Sequence, residues 1–599
     1  MASTLDLTPQ TTSARGVGSN ADTIAPVYAY TAAGSAFERA TRPDYFGWLE
    51  HVRAAAGCTR PIRLAGSLYT VDPATGRMLD QRHTDAMPDA AIYTACGNRR
   101  ATVCPSCAQT YQRDAFQLLR AGLVGGKGVP DTVAQHPAVF ATFTAPSFGT
   151  VHARVVKRHT CGNRRRCDCR AEPCHARRDA GLCPHGRPAV CWARHETGDA
   201  VLGRPLCLDC YDHDHQVVWN IFSGELWHRT KQAAERWLAK LARRRGVPRV
   251  EVVTACGKTR KVPPVRLSPG KVAELQARGA VHFHAIARLD GVDGLDPDAV
   301  VPPPAGFGVT ELVDALRHAA TQIAFNTPAH PDRPEGWPIA WGDPDKGVDL
   351  RPITTDGSGE VTDGMVAGYL AKYATKSTEA TGHTSTRLTA DTIGDYADPD
   401  GDHTARLIDA CWRIGRPTGN PVPLSERPRD PRPAAGFVDR WQCPDCGTHT
   451  RYAACPVCIA ARQAALDTQP ARRPQATNPY ARLRRWAHML GYGGHFLTKG
   501  RRYSVTFQLL RDTRIAFRRH EDQDHEHPAA GGEPLDQRGE DTTLIVGTLT
   551  FAGVGWHTTG DALLANTAAA LARERRTTGR EELAHELSTT PAGTPPVAA

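Results

Sequence analysis

This chain of 599 residues lacks several features that would assign it to other classes of protein. It has no run of about 18 apolar residues, and its N-terminus is polar, without the apolar segment of a signal peptide. We therefore expect a cytoplasmic protein with no membrane partner. It also lacks a G-x-x-x-x-G-K-[ST] motif, and Gly125-Gly-Lys-Gly128 is the nearest match, so no ATP motor is visible.

Lysine is scarce, because only 11 of the 73 basic residues are lysines. Two of them lie in Tyr369-Leu-Ala-Lys-Tyr-Ala-Thr-Lys376, which repeats a Tyr-x-x-Lys unit. On a helix, this spacing of four residues places Tyr369 and Tyr373 on one face. A compact ammonium kept in an arginine-rich chain indicates a specific role for Lys372 and Lys376. An amphipathic helix whose tyrosines only pack in a core is the alternative.

Two histidines alternate with apolar residues in Val281-His-Phe-His-Ala-Ile-Ala-Arg-Leu-Asp290. In a strand, this period of two places His282 and His284 on the same face, where both can bind one divalent cation with a third ligand. Asp349, in the strand-like run Val348-Asp-Leu-Arg-Pro-Ile353, is the best acidic candidate for that ligand. The alternatives are a half-buried strand with two polar histidines and an exposed strand aspartate.

A third run, Ala138-Val-Phe-Ala-Thr-Phe-Thr-Ala-Pro-Ser147, predicts a strand that enters a loop at its proline. In this order, Phe-x-Thr-Phe-Thr-Ala-Pro, His-Phe-His and the tyrosine repeat resemble motifs I, II and III of HUH endonucleases of the two-tyrosine group. More closely, the chain resembles the replication initiator proteins of actinobacterial plasmids and integrative conjugative elements. The resemblance covers about residues 45 to 570 and includes Pro205-Leu-Cys-Leu-Asp-Cys-Tyr211 and Leu483-Arg-Arg-Trp-Ala-His-Met-Leu-Gly491.

The resemblance implies a metal-dependent, site-specific single-strand DNA endonuclease and strand transferase that initiates rolling-circle replication. A tyrosine would nick one origin strand, leaving a 5′-phosphotyrosine and a 3′-OH primer, and the strands would later be rejoined. Mg²⁺ or Mn²⁺ bound by His282, His284 and Asp349 would stabilise charge on the phosphate. Lys372 or Lys376 would lower the pKa of the tyrosine or neutralise the phosphate.

Either tyrosine could supply the nucleophile, because Tyr369 with Lys372 and Tyr373 with Lys376 are equivalent half-motifs. We favour Tyr373 as the initiating nucleophile, and a purely structural Tyr369 is the alternative. Two tyrosines would let one hold the parental strand while the other cuts the newly made strand. This division of work is the reason that the family's mechanism needs both.

The resemblance also implies an α+β fold, with an HUH-type antiparallel sheet flanked by helices. To this fold, cysteine spacing adds zinc-binding insertions, and the local patterns near the end of the chain add a small C-terminal α/β module. Its partners would be single- and double-stranded origin DNA, a host helicase and a host DNA polymerase. One alternative function is an HUH relaxase or transposase that serves conjugation or transposition. Another is a non-catalytic, zinc-dependent DNA-binding regulator whose tyrosines only pack.

Cysteine usage predicts structural zinc. The chain has 18 cysteines and no signal peptide, a combination typical of metal sites in a reducing compartment. We expect one to three zinc ions. The predicted ligands are the C-x2-C-x8-C-x2-C ribbon, a second site ahead of a helix, and a Cys/His-rich insertion: Cys443, Cys446, Cys455 and Cys458; Cys58, Cys96, Cys104 and Cys107; and Cys183, Cys207 and Cys210.

Basic residues suit a polyanionic partner, since the net charge is +10. Candidate DNA contacts are Arg484, Arg485, Arg501 and Arg502, interleaved with Trp486 and Tyr503, because arginines neutralise phosphates and aromatic rings stack on bases. Each run could equally be a solvated helix face.

Composition divides the chain into six segments. They are a disordered tail over 1–36, an N-terminal region with a candidate cysteine site over 37–130, the endonuclease domain over 131–395 with its Cys/His-rich insertion at 160–215, a linker and zinc ribbon over 396–475 with the ribbon at 443–458, a candidate DNA-binding module over 476–581, and a second tail over 582–599. Within the module we predict a helix at Arg482–Met489 and a strand at Tyr503–Leu509.

Overall fold

The computed structural model describes residues 31–72, 75–156, 171–176, 181–253, 256–355, 359, 361–381, 386–416, 441–450, 455–459, 461, 478–526 and 544–589. The chain forms two compact units, one of residues 97–535 and one of residues 1–96 with 536–599. Residues 1–30 and 590–599 of the predicted tails, and residues 417–440 of the predicted linker, lie outside the described residues. The segment boundaries predicted from composition stay predictions.

The smaller unit joins the two ends of the chain through one sheet. Its strands are β1 Ile62–Val71, β2 Met78–His83, β3 Ile92–Thr94 and β15 Leu544–Val554, and β1 pairs antiparallel with the other three. Its helices are α1 Ala32–Ala40, α2 Tyr45–His51 and α10 Thr559–Thr589. Both α1 and α10 extend into the predicted tails. A buried ion pair between Arg39 and Asp561 ties α1 to α10.

The larger unit is built on a five-stranded antiparallel sheet. Its strands are β4 Ala138–Thr144, β7 Val265–Leu275, β8 Val281–Gly291, β11 Val348–Pro352 and β14 Leu497–Lys499, in the order β11–β4–β8–β7–β14. Two-stranded ladders are formed by β5 Val250–Val253 with β6 Thr259–Val262, by β9 Ala324–Asn326 with β10 Pro338–Ala340, and by β12 Trp441–Gln442 with β13 His449–Thr450. The predicted strands of motifs I and II are therefore confirmed.

Seven helices of the larger unit surround this sheet among the described residues. They are α3 Pro105–Val124, α4 His213–Arg244, α5 Val309–Gln322, α6 Asp363–Tyr373, α7 His403–Ile414, α8 Arg482–Arg485 and α9 Phe507–Glu526. Side-chain caps mark where several of them begin. Asp212 accepts the His215 N–H at the start of α4, and Thr362 accepts the Met365 N–H at the start of α6.

Alternation along β8 separates the two faces of the sheet. Phe283, Ala285 and Ala287 are buried with residues of α4 and α5. Burial of a phenylalanine such as Phe283 contributes about 2 kcal/mol. The next-door residues His282, His284 and Ile286 lie on the opposite face, because side chains alternate along a strand. On that face, Ile286 packs with residues of α3 and α6. The α+β class is thus confirmed, and motif III lies on a helix at the histidine face.

Tyr503 shows why the C-terminal prediction failed. The predicted strand at Tyr503–Leu509 is wrong, because α9 already begins at Phe507. The Tyr503 ring is fully buried against α3, and its hydroxyl donates to the Leu119 carbonyl at 2.7 Å. A Cβ on Gly122 would lie 2.3 Å from that ring, so only glycine allows this approach. Tyr503 is therefore a core residue that cannot stack on DNA.

A buried charged network holds the sheet to the segment that follows β14. Arg288 pairs with Asp290 at 2.7 Å and also donates to the Arg502 carbonyl. Burial would raise the pKa of Asp290, but hydrogen bonds from His136, Arg288 and Ser268 lower it below its usual value. The ionised pair is thus fully satisfied inside the core.

Within the described residues, no helix is both long enough and apolar enough to cross a membrane.

Candidate active site

The register between β4 and β8 orients the two motif II histidines. Thr142 lies opposite His284 and Thr144 opposite His282, so both threonine hydroxyls share the histidine face. The hydroxyl of Thr142 is 3.1 Å from His284 Nδ1, and that of Thr144 is 3.4 Å from His282 Nδ1. When each hydroxyl accepts an Nδ1–H, both Nε2 atoms carry a lone pair. Two other contacts favour the opposite tautomer, because the Glu274 carboxylate accepts from His284 Nε2 and Gln276 Nε2 donates to His282 Nδ1, both at 3.1 Å. A cation at Nε2 would move the proton to Nδ1, where the threonine hydroxyl can accept it.

Glu274 adds a carboxylate to the face of the sheet that carries the two histidines. It lies on β7 opposite His282, and its Oε2 is 3.1 Å from His284 Nε2. The Nε2 atom of His282 is buried and has no hydrogen-bond partner among the residues that the structure describes. Burial, and secondly the His284 ring, lower the pKa of His282 to about 3. A neutral imidazole with an unused buried nitrogen beside a carboxylate fits a divalent cation.

Asp349, the predicted third ligand, lies elsewhere on the sheet. It occupies the edge strand β11 opposite Thr142 and is exposed. Its carboxylate pairs with Arg351 at 2.8 Å. Glu274 was missed by sequence reasoning, although a signal existed. Gly279, with φ of +76°, marks a tight turn between two strand-like runs, and pairing across that hairpin brings Glu274 to His282.

Helix α6 presents both motif III tyrosines to the histidines. Their ring centroids are 4.5 Å apart, as the spacing of four predicts. The Tyr369 hydroxyl is 3.3 Å from His284 Nε2, and its side chain keeps 38% exposure. Burial, and secondly the Tyr373 hydroxyl, raise the pKa of Tyr369 above its usual value. The Tyr369 hydroxyl is therefore placed at His284 and reachable from solvent, and its phenol requires help to ionise.

Tyr373 is half-buried and lies farther from the histidines than Tyr369. Its ring centroid is 5.9 Å from that of His284, against 5.0 Å for Tyr369. Lys376 Nζ is 4.3 Å from the Tyr373 ring centroid, so the second Tyr-x-x-Lys unit forms a direct contact. Lys372 is exposed on the same helix. Lys372 therefore lies on the helix that carries the candidate nucleophiles, and Lys376 lies three residues after its end.

Two arginines fix the ends of α6. Arg99 donates to the carbonyls of Ala374 and Lys376 at 2.8 and 2.6 Å, directly after the last helical turn. Arg120, on α3, pairs with Asp363 in the first turn at 2.9 Å. A cation at the C-terminus and a carboxylate at the N-terminus also suit the helix dipole. Sequence reasoning missed both arginines, because their partners are more than 200 residues away.

A cleft of about 300 Å³ lies at the C-terminal end of α6. Its lining includes Arg99, Arg100, Trp486, His495 and Phe496, and the Arg99 guanidinium lies 3.7 Å from the centre of the Phe496 ring. Basic groups beside aromatic faces are suited to single-stranded nucleic acid.

The four predicted DNA-binding arginines lie in different surroundings. Arg485 is exposed beside Trp486, and the side chain of Arg501 is 86% exposed. Arg484 donates to the Trp412 carbonyl at 2.9 Å, and Arg502 pairs with Asp298 at 2.7 Å. Arg485 and Arg501 are consequently the better candidates for phosphate contacts.

Three Cys/His groups inside the larger unit could hold a metal ion such as zinc, because their donor atoms lie within 4.8 Å of one another. We call them the ribbon group, the mixed group and the histidine-pair group. Their members are Cys443, Cys446, Cys455 and Cys458; Cys183, His185, Cys207 and Cys210; and His152, Cys174, Cys191 and His195.

The predicted ribbon is a compact knuckle. The sulfurs of Cys443 and Cys458 are 3.8 Å apart, and those of Cys446 and Cys455 are 3.5 Å apart. The prediction that joins Cys104 and Cys107 to Cys58 and Cys96 stays a prediction, because its cysteines are divided between the two units. Sequence reasoning missed His152 and His195, which the structure brings to the histidine-pair group.

Comparisons with known proteins agree on one family. A family model described as "RepSA: Replication initiator protein, pSAM2" matches residues 44–570. A curated "Replication initiator protein" from Streptomyces ambofaciens is 34% identical over 566 residues, which cover 93% of this chain and 97% of the relative. No solved structure matches the chain.

Proposed function

The chain belongs to the RepSA family of replication initiator proteins, and on that premise we propose that it initiates rolling-circle replication by cutting one origin strand with a tyrosine. The observation that carries this proposal is the 3.3 Å contact between the Tyr369 hydroxyl and His284 Nε2. It joins a covalent nucleophile to a cluster that fits a cation. Both are needed to cut a phosphodiester and keep its energy as a protein ester.

In the proposed reaction, a tyrosine Oη attacks the scissile phosphorus of the origin strand. The phenol loses its proton as the Oη–P bond forms, the P–O3′ bond breaks, and the departing 3′ oxygen gains a proton. The products are a 5′-phosphotyrosine and a 3′-OH that primes DNA synthesis. Attack by a 3′-OH on the phosphotyrosine reverses these bond changes and rejoins strands.

His282, His284 and Glu274 are proposed to hold a divalent cation. Two imidazoles and one carboxylate suit Mn²⁺ at least as well as Mg²⁺, which prefers oxygen ligands. The cation supplies positive charge for the oxygens of the scissile phosphate. Thr142 and Thr144 would accept the Nδ1–H of each imidazole once its Nε2 binds the cation. Glu274 replaces Asp349 as the proposed third ligand, because Glu274 contacts His284 directly.

The geometry favours Tyr369 for the first attack, because its hydroxyl is the one that contacts His284. The sequence-based preference for Tyr373 stays a prediction. Tyr373 is 4.5 Å away between ring centroids, which suits a second attack at the same cluster after one round of synthesis. Lys376, beside Tyr373, can neutralise the phosphate that Tyr373 attacks.

Single-stranded DNA is proposed to run from the tyrosines into the cleft at the end of α6. Arg99 and Arg100 offer positive charge there, while the half-buried Trp486 offers a face for stacking. Arg485 and Arg501 would add phosphate contacts and bring salt dependence to binding. Strand separation and synthesis would fall to a host helicase and a host DNA polymerase.

Labelled single-stranded oligonucleotides that tile the candidate origin of the encoding element test this proposal. Purified protein is incubated with each oligonucleotide and Mn²⁺ or EDTA, and denaturing gels separate covalent adducts. We expect a metal-dependent adduct on one tile, lost in the Tyr369→Phe/Tyr373→Phe double variant and kept in Tyr396→Phe, which changes an exposed tyrosine elsewhere.

Tight duplex binding without an adduct on any tile would replace the proposal with a non-catalytic, zinc-dependent DNA-binding protein. Adduct formation at a transfer origin that supports mobilisation without autonomous copying would identify a relaxase or transposase instead. Each outcome thus selects one of the three candidate functions.

A further inference from the structure

The segment between β4 and α4 brings together four donors that the sequence does not group. In the histidine-pair group, His152 Nδ1 is 3.2 Å from His195 Nε2, and Cys191 Sγ is 3.5 Å from the same nitrogen. Cys174 completes the group within 4.8 Å. His195 is 5% exposed and Cys174 is 4% exposed, so these donors face one another inside the protein.

Neighbouring groups prepare these donors for a cation. His195 Nδ1 lies 2.7 Å from an Asp199 carboxylate oxygen, so Nδ1–H donates to Asp199 and the Nε2 lone pair faces the group. A carboxylate behind a histidine is the usual support of a metal-binding imidazole. The Ala153 N–H donates to Cys174 Sγ at 3.2 Å, which stabilises a thiolate. Two thiolates and two imidazoles form a tetrahedral donor set suited to zinc.

The donors of this group and of the mixed group alternate in pairs along the chain. The order is His152 and Cys174, then Cys183 and His185, then Cys191 and His195, then Cys207 and Cys210. Each set of ligands therefore encloses ligands of the other. Between β4 and α4, the described residues contain only isolated bridges and turns, such as the pairing of His175 with Cys191. Backbone hydrogen bonds also cross the segment, such as that from the His152 N–H to the Arg204 carbonyl at 2.8 Å, but they form no helix or ladder among the described residues.

We propose that His152, Cys174, Cys191 and His195 bind a zinc ion, and that this ion and one in the mixed group cross-brace the segment from residue 152 to residue 210. Loss of either ion then loosens the ligands of the other, because each loop closed by one ion contains ligands of the other. This inference does not depend on the nicking activity, and its test measures zinc instead of DNA cleavage.

Zinc content of the full-length chain, measured by inductively coupled plasma mass spectrometry after exhaustive dialysis, tests the site. The Cys174→Ser/Cys191→Ser variant is expected to contain at least one zinc ion fewer per molecule than wild type. Cys256→Ser is the matched control, because Cys256 is an exposed cysteine outside the four groups found among the described residues. Cys256→Ser is expected to keep the wild-type zinc content. Wild-type zinc content in the double cysteine variant would overturn the proposal.

Alkylation of the wild-type protein decides the matter if that variant does not fold. Iodoacetamide labelling, read for each cysteine by peptide mass spectrometry, compares Cys174 and Cys191 with the exposed Cys256. We expect iodoacetamide to label both at least about tenfold more slowly than Cys256. After a zinc chelator is added, labelling of both should accelerate, with the same time course as labelling of Cys183 and Cys207. Labelling at the rate of Cys256 before chelation would overturn the site. Separate phases would overturn the cross-brace.

Discussion

Two regions of the larger unit hold pairs of histidines by opposite means. His282 and His284 lie on a central strand, and the register with β4 and β7 supplies Thr142, Thr144 and Glu274 around them. His152 and His195 lie in a segment without helices or strands among its described residues, and their neighbours are thiols and one carboxylate. In the first region, the sheet positions the side chains of the site. In the second, we propose that bound zinc ions stabilise the conformation of the segment.

The sheet region is the proposed site of a catalytic cation, and the segment between β4 and α4 is the proposed site of structural zinc. A site held by a sheet can lose its cation and keep its shape, which leaves room for a substrate to enter and leave. A segment held by thiolates and imidazoles loses its shape when the cation leaves.

The largest effect is expected from removal of both tyrosine hydroxyls, a change that should leave the sheet and the segment between β4 and α4 intact. In Tyr369→Phe/Tyr373→Phe, we expect covalent adduct formation to fall by more than about a thousandfold, because no phenol remains at the histidines. Zinc content should equal that of wild type. Quantitative denaturing gels measure the adduct, with Tyr396→Phe as the control. An adduct retained near the wild-type level would place the nucleophile elsewhere.

Removal of a histidine from the sheet should have the next largest effect. His282→Ala is expected to lower Mn²⁺-dependent cleavage by about a hundredfold, since the cluster loses one of its three donors. Zinc bound by the segment between β4 and α4 should remain. His228→Ala, at an exposed position of α4, is the matched control and should cleave at the wild-type rate. Equal loss in both variants would argue against a cation at His282.

Removal of zinc should change the segment between β4 and α4 and leave the sheet unchanged. With a strong zinc chelator, we expect amide hydrogen exchange in residues 181–212 to accelerate by more than about tenfold, because the proposed ions hold that segment. Amides of β8 should keep their protection, since sheet hydrogen bonds hold them. Exchange measured by mass spectrometry reports both regions in one experiment. Equal acceleration of β8 would show that the sheet also depends on zinc.

Thr142→Val tests whether the sheet orients its histidines. Loss of the hydroxyl removes the acceptor for the Nδ1–H of His284, so the Mn²⁺ concentration for half-maximal cleavage should rise about tenfold. Thr321→Val, which changes an exposed helix threonine that bonds only its own helix, should leave that concentration unchanged. No shift in Thr142→Val would show that packing alone sets the imidazole orientation.

Arg99→Met should give the smallest effect. The variant loses two hydrogen bonds to the end of α6, and we expect cleavage to fall by about three- to tenfold as the tyrosines become less well placed. The Mn²⁺ requirement should not change, because no cation ligand is touched. Arg113→Met, at an exposed position of α3, is the control. A shifted Mn²⁺ requirement would contradict a positioning role.

Periodicity made the site's main elements predictable from the sequence. Alternation in Val281–Asp290 and the spacing of Tyr369 and Tyr373 are local signals, and the structure has a strand and a helix there. Glu274, Arg99 and Arg120 were missed because their roles depend on pairing between distant segments. The strand predicted at Tyr503–Leu509 was wrong, because apolar and polar residues alternate there as in a strand while the Tyr503 ring packs in the core against Gly122.

The metal groups show the same limit. The short spacing of the ribbon cysteines made Cys443, Cys446, Cys455 and Cys458 predictable as one group. Ligand pairs that alternate along the chain cannot be sorted by spacing, so His152 and His195 were not assigned. Only the folded arrangement separates the histidine-pair group from the mixed group.

Peptide mapping of the covalent adduct directly tests whether a tyrosine of α6 forms the bond to DNA. The protein is trapped on its origin oligonucleotide with Mn²⁺, digested with protease and nuclease, and analysed by tandem mass spectrometry. We expect a nucleotide joined through a phosphodiester to the α6 peptide, at Tyr369 in the first reaction. Attachment at Tyr373 would keep the mechanism and reverse the order in which the two tyrosines attack. Attachment at a residue outside α6 would contradict the proposed mechanism.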